Sequence, residues 1–289
     1  MLRESIWITG SEGRMGSELL AILKKNKKYK VIATDRDVDI TNLEEVNRAA
    51  DIYNVDLLIN CASISDQEYC EKHRLEAFRV NALGARNLAV ATRRKNATII
   101  HMSSDDVFSG ENNYAKNEFD VPTPTTVFGK SKLAGENLVR EMNPKHLVVR
   151  SSWVYGMRKG SLPEYQDFYH RVLEYGKNNQ EFECPIDRVS TPTSTLEIVR
   201  FLREVLDKNE FGLFHVSCEG ACTRKDYACA ILEYNGYDPK LCKGSHTMGD
   251  GATTSTLLEN LMLDMTGIYK MPNWQDAMKE YVEREKGRN

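Results

Sequence analysis

The chain's 289 residues can bury a large core, as one substantial unit or as a big domain with a smaller one attached, so stability needs neither disulfides nor a structural metal. A net charge of −3, a pI near 6.1 and basic residues spread along the chain leave no electrostatic footprint for nucleic acid, and the expected partner is a small soluble ligand. Met1 to Gly10 lacks the apolar core and cleavage site of a signal peptide, and no apolar run is long enough to span a bilayer, so no membrane association is expected.

Through residue 150 the hydrophobic period alternates between two modes. Ser5–Thr9 is a strand, Met15–Leu23 a helix, Tyr29–Thr34 a strand, Leu43–Ala50 a helix, Leu57–Asn60 a strand and Arg74–Lys95 a long helix. Strands Thr98–Met102 and Leu147–Arg150 follow, with a helix at about Ser131–Glu141 between them. Strict alternation predicts an α/β fold, a Rossmann-type doubly wound parallel sheet over 1–150. Beyond Ser151 the pattern loosens. Loops are expected over Gly156–Gly160 and around Pro163, helices over Tyr165–Tyr175, Thr195–Leu206, Thr223–Tyr234 (Thr223 as N-cap) and Asn273–Glu285, and a strand over Gly212–Ser217. Residues 151–289 are expected to form a smaller, mainly substrate-binding region, with some segments returning to the main sheet. Seven cysteines, an odd number with no CxxC pair, are expected as reduced thiols of a cytoplasmic protein. Cys218 and Cys222 near His215 are more widely spaced than zinc ligand pairs usually are, and no metal is expected.

Gly10, Gly13 and Gly16 recur at GxxGxxG spacing where the first strand turns into the first helix. That pattern permits a tight turn, close approach of backbone to a pyrophosphate and close packing of helix on sheet, with free N–H groups facing the anion. Asp35 ends the second strand, where an acid can accept from ribose hydroxyls and favour NAD. Arg36 beside it is suited to the extra phosphate of NADP, so the cofactor is either NADH or NADPH.

Several further segments carry a family resemblance: Thr9–Gly16, Asn60-Cys61-Ala62-Ser63, Val80–Ala89, Ser103-Ser104-Asp105, Val107–Gly110, Pro122-Thr123-Pro124, Gly129–Glu136, Arg150–Gly156 and Thr191-Pro192-Thr193. With these the chain resembles the extended short-chain dehydrogenases, and within them the dTDP-4-dehydrorhamnose reductase family, densely to Gly156 and thinly after about Thr195. The resemblance implies hydride transfer from a nicotinamide to the 4-keto carbon of a nucleotide-linked deoxysugar. It implies catalytic roles for Ser104, Lys132 and Asn81, and a cofactor site that adds Arg14, Met15, Asp39, Ile40, Cys61, Ala62, Ser63 and Lys132 to the glycine loop, Asp35 and Arg36. For substrate it implies Ser104, Asp105, Val107, Trp153 and Tyr155.

Three positions depart from the family pattern. Its tyrosine, four residues before the lysine, is Phe128, which has no hydroxyl to give a proton. Asp106 replaces the aromatic that follows the Ser-Asp pair, and Gly251-Ala252 stand where an Arg-Pro pair precedes the serine matched by Ser255. Three explanations stay open. Another acid serves (Asp106, Tyr114, Tyr155 or water); the protein is a catalytically silent regulatory subunit, as the related methionine adenosyltransferase β subunit is; or the tyrosine was replaced to trap a complex. The partners expected are a small-molecule sugar nucleotide and either a second copy in a homodimer or a regulatory protein partner.

Overall fold

Strand β1 (Glu4–Thr9) lies between β2 (Tyr29–Thr34) and β3 (Leu57–Asn60), and the sheet continues through β4 (Thr98–Ser104) and β5 (His146–Ser151) to an edge strand, Gly212–His215. Every pairing in it is parallel. The computed structural model from which this is drawn describes residues 4–111, 114–156, 167–206, 208, 210–247 and 254–287. Because β2 and β3 flank β1 on opposite sides, the strand order reverses there, and a crevice opens beyond the carboxyl ends of β1 and β3.

Side-chain alternation along the strands sends neighbours into different layers. Ile6, Ile8, Leu57, Ile59, Leu147 and Val149 join one buried cluster with α1 (Arg14–Leu23) and the helix Thr195–Leu206. Trp7, Leu58, Ile99 and Val148 join another with α2 (Leu43–Tyr53) and the helix Ala85–Arg94. Each such aliphatic side chain contributes about 1.5–3 kcal/mol by leaving water. At the strand ends the ties become polar. Thr9 Oγ1 donates to Asn60 Oδ1 (2.9 Å), and Asn60 Nδ2 donates to His101 Nδ1 (3.0 Å), which joins β1, β3 and β4.

In the second half, Arg188–Ser190 pairs with Cys222–Thr223 and Thr254–Ser255, and Phe182–Pro185 pairs with Cys242–Ser245. These short strands, too brief to carry a period, have no counterpart in the sequence-based expectation. They reach the main sheet through Ser190 and Thr256, whose hydroxyls bond Asp105 just past β4 (3.2 and 2.5 Å). No helix among the described residues is long and apolar enough to cross a membrane. All seven cysteines are free, and no three His, Cys, Asp or Glu residues among those described gather as a metal site.

Two helices differ from expectation for identifiable reasons. Arg74–Lys95 is not one α-helix: Arg74–Phe78 and Ala85–Arg94 are joined by a π-helical turn, Arg79–Gly84, within which the Asn81 side chain bonds both backbone groups of Ile64. The helix expected from Ser131 begins at Val127, because Thr126 caps it by accepting from Gly129 N (3.0 Å). Thr223 is the N-cap of Arg224–Tyr234, in a reciprocal capping box with Asp226. Asp167 caps the helix Phe168–Lys177, while the expected loop over 157–160 and around Pro163, and the helix start at Tyr165, lie outside the described residues.

Beneath the site, Arg150 of β5 and Glu136 of the helix Val127–Met142 form a fully buried ion pair (2.7 Å). Ser103 Oγ donates to the same carboxylate (2.5 Å), and Arg150 Nη1 donates to His215 Nε2 (3.3 Å). His215 carries its own proton on Nδ1, which faces the carbonyls of Lys116 and Glu259. Its pKa falls to about 3 through burial and the neighbouring Arg150. Removing one partner of such a pair leaves a buried charge without compensation, which costs about 3–5 kcal/mol. Glu136→Gln should therefore lower the unfolding free energy by about that much, measured by equilibrium urea denaturation; a loss under about 1 kcal/mol would show that Arg150 finds other compensation.

Candidate active site

A cleft of about 620 Å³ opens at the carboxyl ends of the strands. Its floor and walls include Gly13, Arg14 and Met15 after β1, Cys61 and Ser63 after β3, Ser104 at the end of β4 with Asp105 and Asp106 after it, and Trp153 and Tyr155 after β5. Phe128 and Lys132, one helical turn apart on one face, complete it from the helix Val127–Met142.

The glycine loop is shaped by contacts that exclude a Cβ. Gly10 has φ +66° and lies so close to the Ala62 backbone that a side chain would collide with it. Gly13 is less tightly enclosed: a Cβ there would meet only Gly10 O, at 3.2 Å, a contact relieved by a shift of a few tenths of an ångström. As N-cap it offers no side chain to the first turn of α1, which leaves room and donors for an anion from the cleft. Asp35 accepts from Glu12 N (3.0 Å), tying β2 to this loop, and Arg36 is exposed beside it.

Lys132 is buried, and its Nζ donates to Met102 O (2.6 Å). Burial lowers its pKa to about 8, against the pull of Glu136 and Cys61 in the other direction. Ser104 Oγ stands 2.9 Å from Asp106 Oδ2 and 3.2 Å from Asp105 Oδ1, and accepts from Asp106 N. Burial and then the Asp106 charge push Asp105 up to about 7, while hydrogen bonds from Thr256, Ser104 and Ser190 oppose this. Asp106 is raised too, chiefly by burial, against Ser104 and Arg224.

Some expected site residues lie elsewhere. Val107 is fully buried with Phe108 and Leu258, out of a substrate's reach. Tyr155 is at the cleft floor but 1 % exposed, packed with Tyr169, Tyr227 and Tyr281, so no ring face is left for a sugar. Trp153, at φ +37°, has Arg224 stacked on its ring (3.6 Å). Asn81 is buried outside the cleft and bonds Ile64 and Ser131, so it positions the loop after β3 rather than touching substrate. Ile40 is buried against Gly84, and Asp39 turns the chain into α2 by accepting from Thr41 N. Gly16 packs beneath the loop, where a Cβ would strike Gly10 O. Tyr114 is exposed, with the Lys116 ammonium over its ring. Gly251 and Ala252 lie outside the described residues.

The cleft also holds residues that sequence reasoning missed. Arg224 stacks between Trp153 and Phe168 (4.9 Å) and has no hydrogen bond or ion pair among the described residues. Its signal was available: arginine in the first turn of a helix opposes the macrodipole, a placement that calls for another reason. Asp167, also unexpected in the cleft, pairs at 3.3 Å with Arg14, an expected cofactor residue in the first turn of α1.

The raised carboxyls have a consequence for stability. A carboxyl whose folded pKa exceeds its unfolded value near 4 holds its proton more tightly when folded. The stability it contributes is present below about pH 4 and is lost as pH rises through about 7. Asp105→Asn should flatten the fall in stability between those limits by up to about 1.4 kcal/mol per pH unit, one proton's worth. Urea denaturation at successive pH values tests this, and identical slopes in both proteins would place the titration elsewhere.

Comparison with known proteins agrees with this geometry. The family model for the RmlD substrate binding domain matches residues 4–286. The chain is 30% identical to dTDP-4-dehydrorhamnose reductase of Aggregatibacter actinomycetemcomitans, over 94% of this chain and 96% of that protein. The crystal structure of a dTDP-4-dehydrorhamnose reductase from Clostridium acetobutylicum superposes with a TM-score of 0.89 at 35% identity, covering 98% of this chain and 99% of that one. The Bacillus anthracis enzyme, solved in complex with NADP, gives 0.91 at 28% identity, covering 98% and 100%. The chain therefore belongs to the RmlD substrate binding domain family, within the extended short-chain dehydrogenases.

Proposed function

We propose that the protein is an NAD(P)H-dependent reductase of a nucleotide-linked 4-keto-deoxysugar, of the dTDP-4-dehydrorhamnose reductase type. The observation that carries this reading is the meeting of Gly13, Ser104 and Lys132 in one cleft at the sheet's switch point. The residues fit the cofactor: the uncapped start of α1 and the bare Gly13 suit a pyrophosphate, and Asp35 with Arg36 stands at the ribose end of β2. When bound, the reduced nicotinamide supplies hydride to the substrate carbonyl carbon. Lys132, held by Met102 O, brings positive charge to the cleft wall, and Ser104 places a hydroxyl where a carbonyl oxygen can accept from it. Arg224, desolvated between two rings and without an ion partner among the described residues, suits the diphosphate of a sugar nucleotide. Seven free thiols support a reducing compartment such as the cytoplasm. Phe128 favours a catalytically silent regulatory subunit, but the retained Ser104 and Lys132 and the names of the relatives favour the reductase.

The test is NADPH or NADH oxidation with dTDP-4-keto-deoxysugars, beside titration of reduced nicotinamide by its fluorescence. Gly13→Val should abolish cofactor binding while leaving the circular dichroism spectrum unchanged; equal binding by both proteins would remove the glycine loop from the site. Arg224→Ala should raise KM for the sugar nucleotide by about tenfold or more, in line with a lost charge-assisted contact of roughly 1.5–3 kcal/mol, and leave cofactor affinity alone. An unchanged KM would assign the diphosphate to another group.

A further inference from the structure

The departures at positions 128 and 106 occur in the same place. Phe128 and Asp106 both line the cleft, and Gly129, next to Phe128, packs so closely on Asp106 that a Cβ would strike the Asp106 carbonyl oxygen. The chain has thus lost a phenol and gained a carboxyl across one backbone contact. The other candidate acids are poorly placed. Tyr155 is packed in a cluster of tyrosines, where desolvation first, and then Cys218 and the neighbouring tyrosines, hold its hydroxyl well above the usual range, and Tyr114 lies exposed outside the cleft.

We propose, on the strength of the reductase reading, that Asp106 is the proton source for the reduction, relaying through the Ser104 hydroxyl to the substrate's carbonyl oxygen. The relay follows from the 2.9 Å contact between Asp106 Oδ2 and Ser104 Oγ. A protonated Asp106 donates to Ser104 Oγ, and a carbonyl in the cleft then has only Asp105 Oδ1, at 3.2 Å, as a competitor for the serine O–H. An ionised Asp106 accepts that O–H instead and turns it away. As hydride adds to the carbonyl carbon and the C=O π pair moves to oxygen, Ser104 gives its proton to that oxygen and takes the one from Asp106. The products are the alcohol, the oxidised nicotinamide and the Asp106 carboxylate, which regains a proton from solvent through the open cleft.

Burial favours keeping a proton on the coupled Asp105–Asp106 pair, and Asp106 is a member of that pair in contact with the Ser104 hydroxyl. Asp105 is adjacent on the same turn, and burial raises both carboxyls. At Asp106 this is opposed first by the Ser104 hydroxyl, then by Arg224 from the helix Arg224–Tyr234, the Gln67 amide, which donates to Asp106 Oδ1 (2.8 Å), and Arg188 from its strand. Lys132 faces the cleft from the helix Val127–Met142 and is engaged with Met102 O, while Glu136 lies buried beneath the cleft, paired with Arg150.

Asp106→Asn keeps the shape and can still orient Ser104, but has no proton to relay. It should lower kcat by about 10²–10⁴, the usual worth of general acid catalysis, with KM changed less than about threefold. The wild-type fall in kcat as pH rises past the carboxyl titration should vanish with it. Phe128→Tyr placed on Asp106→Asn should restore at least tenfold of the loss, which also shows that the variant is folded. Independently of turnover, ¹³C-aspartate NMR of the cofactor-free protein should show a carboxyl titrating well above pH 4 that Asp106→Asn removes. An active protein whose Asp106→Asn variant keeps the wild-type rate and pH profile overturns the relay alone, as does an Asp106 carboxyl ionised throughout pH 5–8. A protein that binds NADPH yet is inert towards every nucleotide-linked ketosugar overturns the reductase reading, and the relay with it.

Discussion

The buried ion pair between Glu136 and Arg150 is the constraint on which the site's geometry rests. Arg150 is the penultimate residue of β5 and Glu136 comes from the helix that carries Lys132 and Phe128, so the pair fixes how far that helix stands from the strand ends. Ser103 Oγ holds the same carboxylate, which locates the residue just before Ser104. Glu136 also supports the charge on Lys132, one turn away, against the desolvation that would remove it. A neutral His215 closes the far end and accepts from Arg150 without adding a second cation. A buried pair of this sort is weak evidence for net stability, but it is an effective way to specify one arrangement of three elements.

Around this anchor, the walls of the cleft are set by backbone rather than by side chains. Gly10 against Ala62 and Gly129 against Asp106 are approaches that any larger residue would force apart. The first brings the turns after β1 and β3 together, and the second brings the helix bearing Phe128 onto the turn after β4. The electrostatics then follow from burial. Two adjacent carboxyls are raised, a lysine is lowered, and an arginine is sandwiched between aromatic rings, all within one pocket. Groups whose titrations are displaced in opposite senses within a cleft are a mark of a chemical site.

Much of this was legible in the sequence. Strands β2 and β3 and the helix Thr195–Leu206 have the limits their periodicity gives, because a change of period from 2 to 3.6 is hard to mistake when loops are short. Gly10, Gly13, Ser104 and Lys132 could be placed because turn chemistry and a dense run of matched residues located them. What the sequence hid depends on contacts made across the chain. Nothing local says that Tyr155 turns into a cluster of tyrosines, that Val107 packs on Leu258, or that Asn81 reaches Ile64 from a π-turn. The strands of two to four residues in the second half are too short for a period, and Arg224 was visible only as a charge at the wrong end of a helix.

The π-turn at Arg79–Gly84 has an evolutionary and mechanical meaning of its own. A π-turn is an α-helix with one residue too many, kept as a bulge because the helix on either side continues in phase with its own neighbours. Deleting one residue from it would let the ladder close as regular α-helix, and would rotate everything on its amino-terminal side by about 100° relative to Ala85–Arg94, since 3.6 residues make a turn. Ala77, now packed with Cys70 and Phe128, would swing off that cluster, and Asn81 would lose its hold on Ile64. The surplus residue is thus a phase adjuster between two halves of one helix, one docked on the sheet and the other on the wall of the cleft.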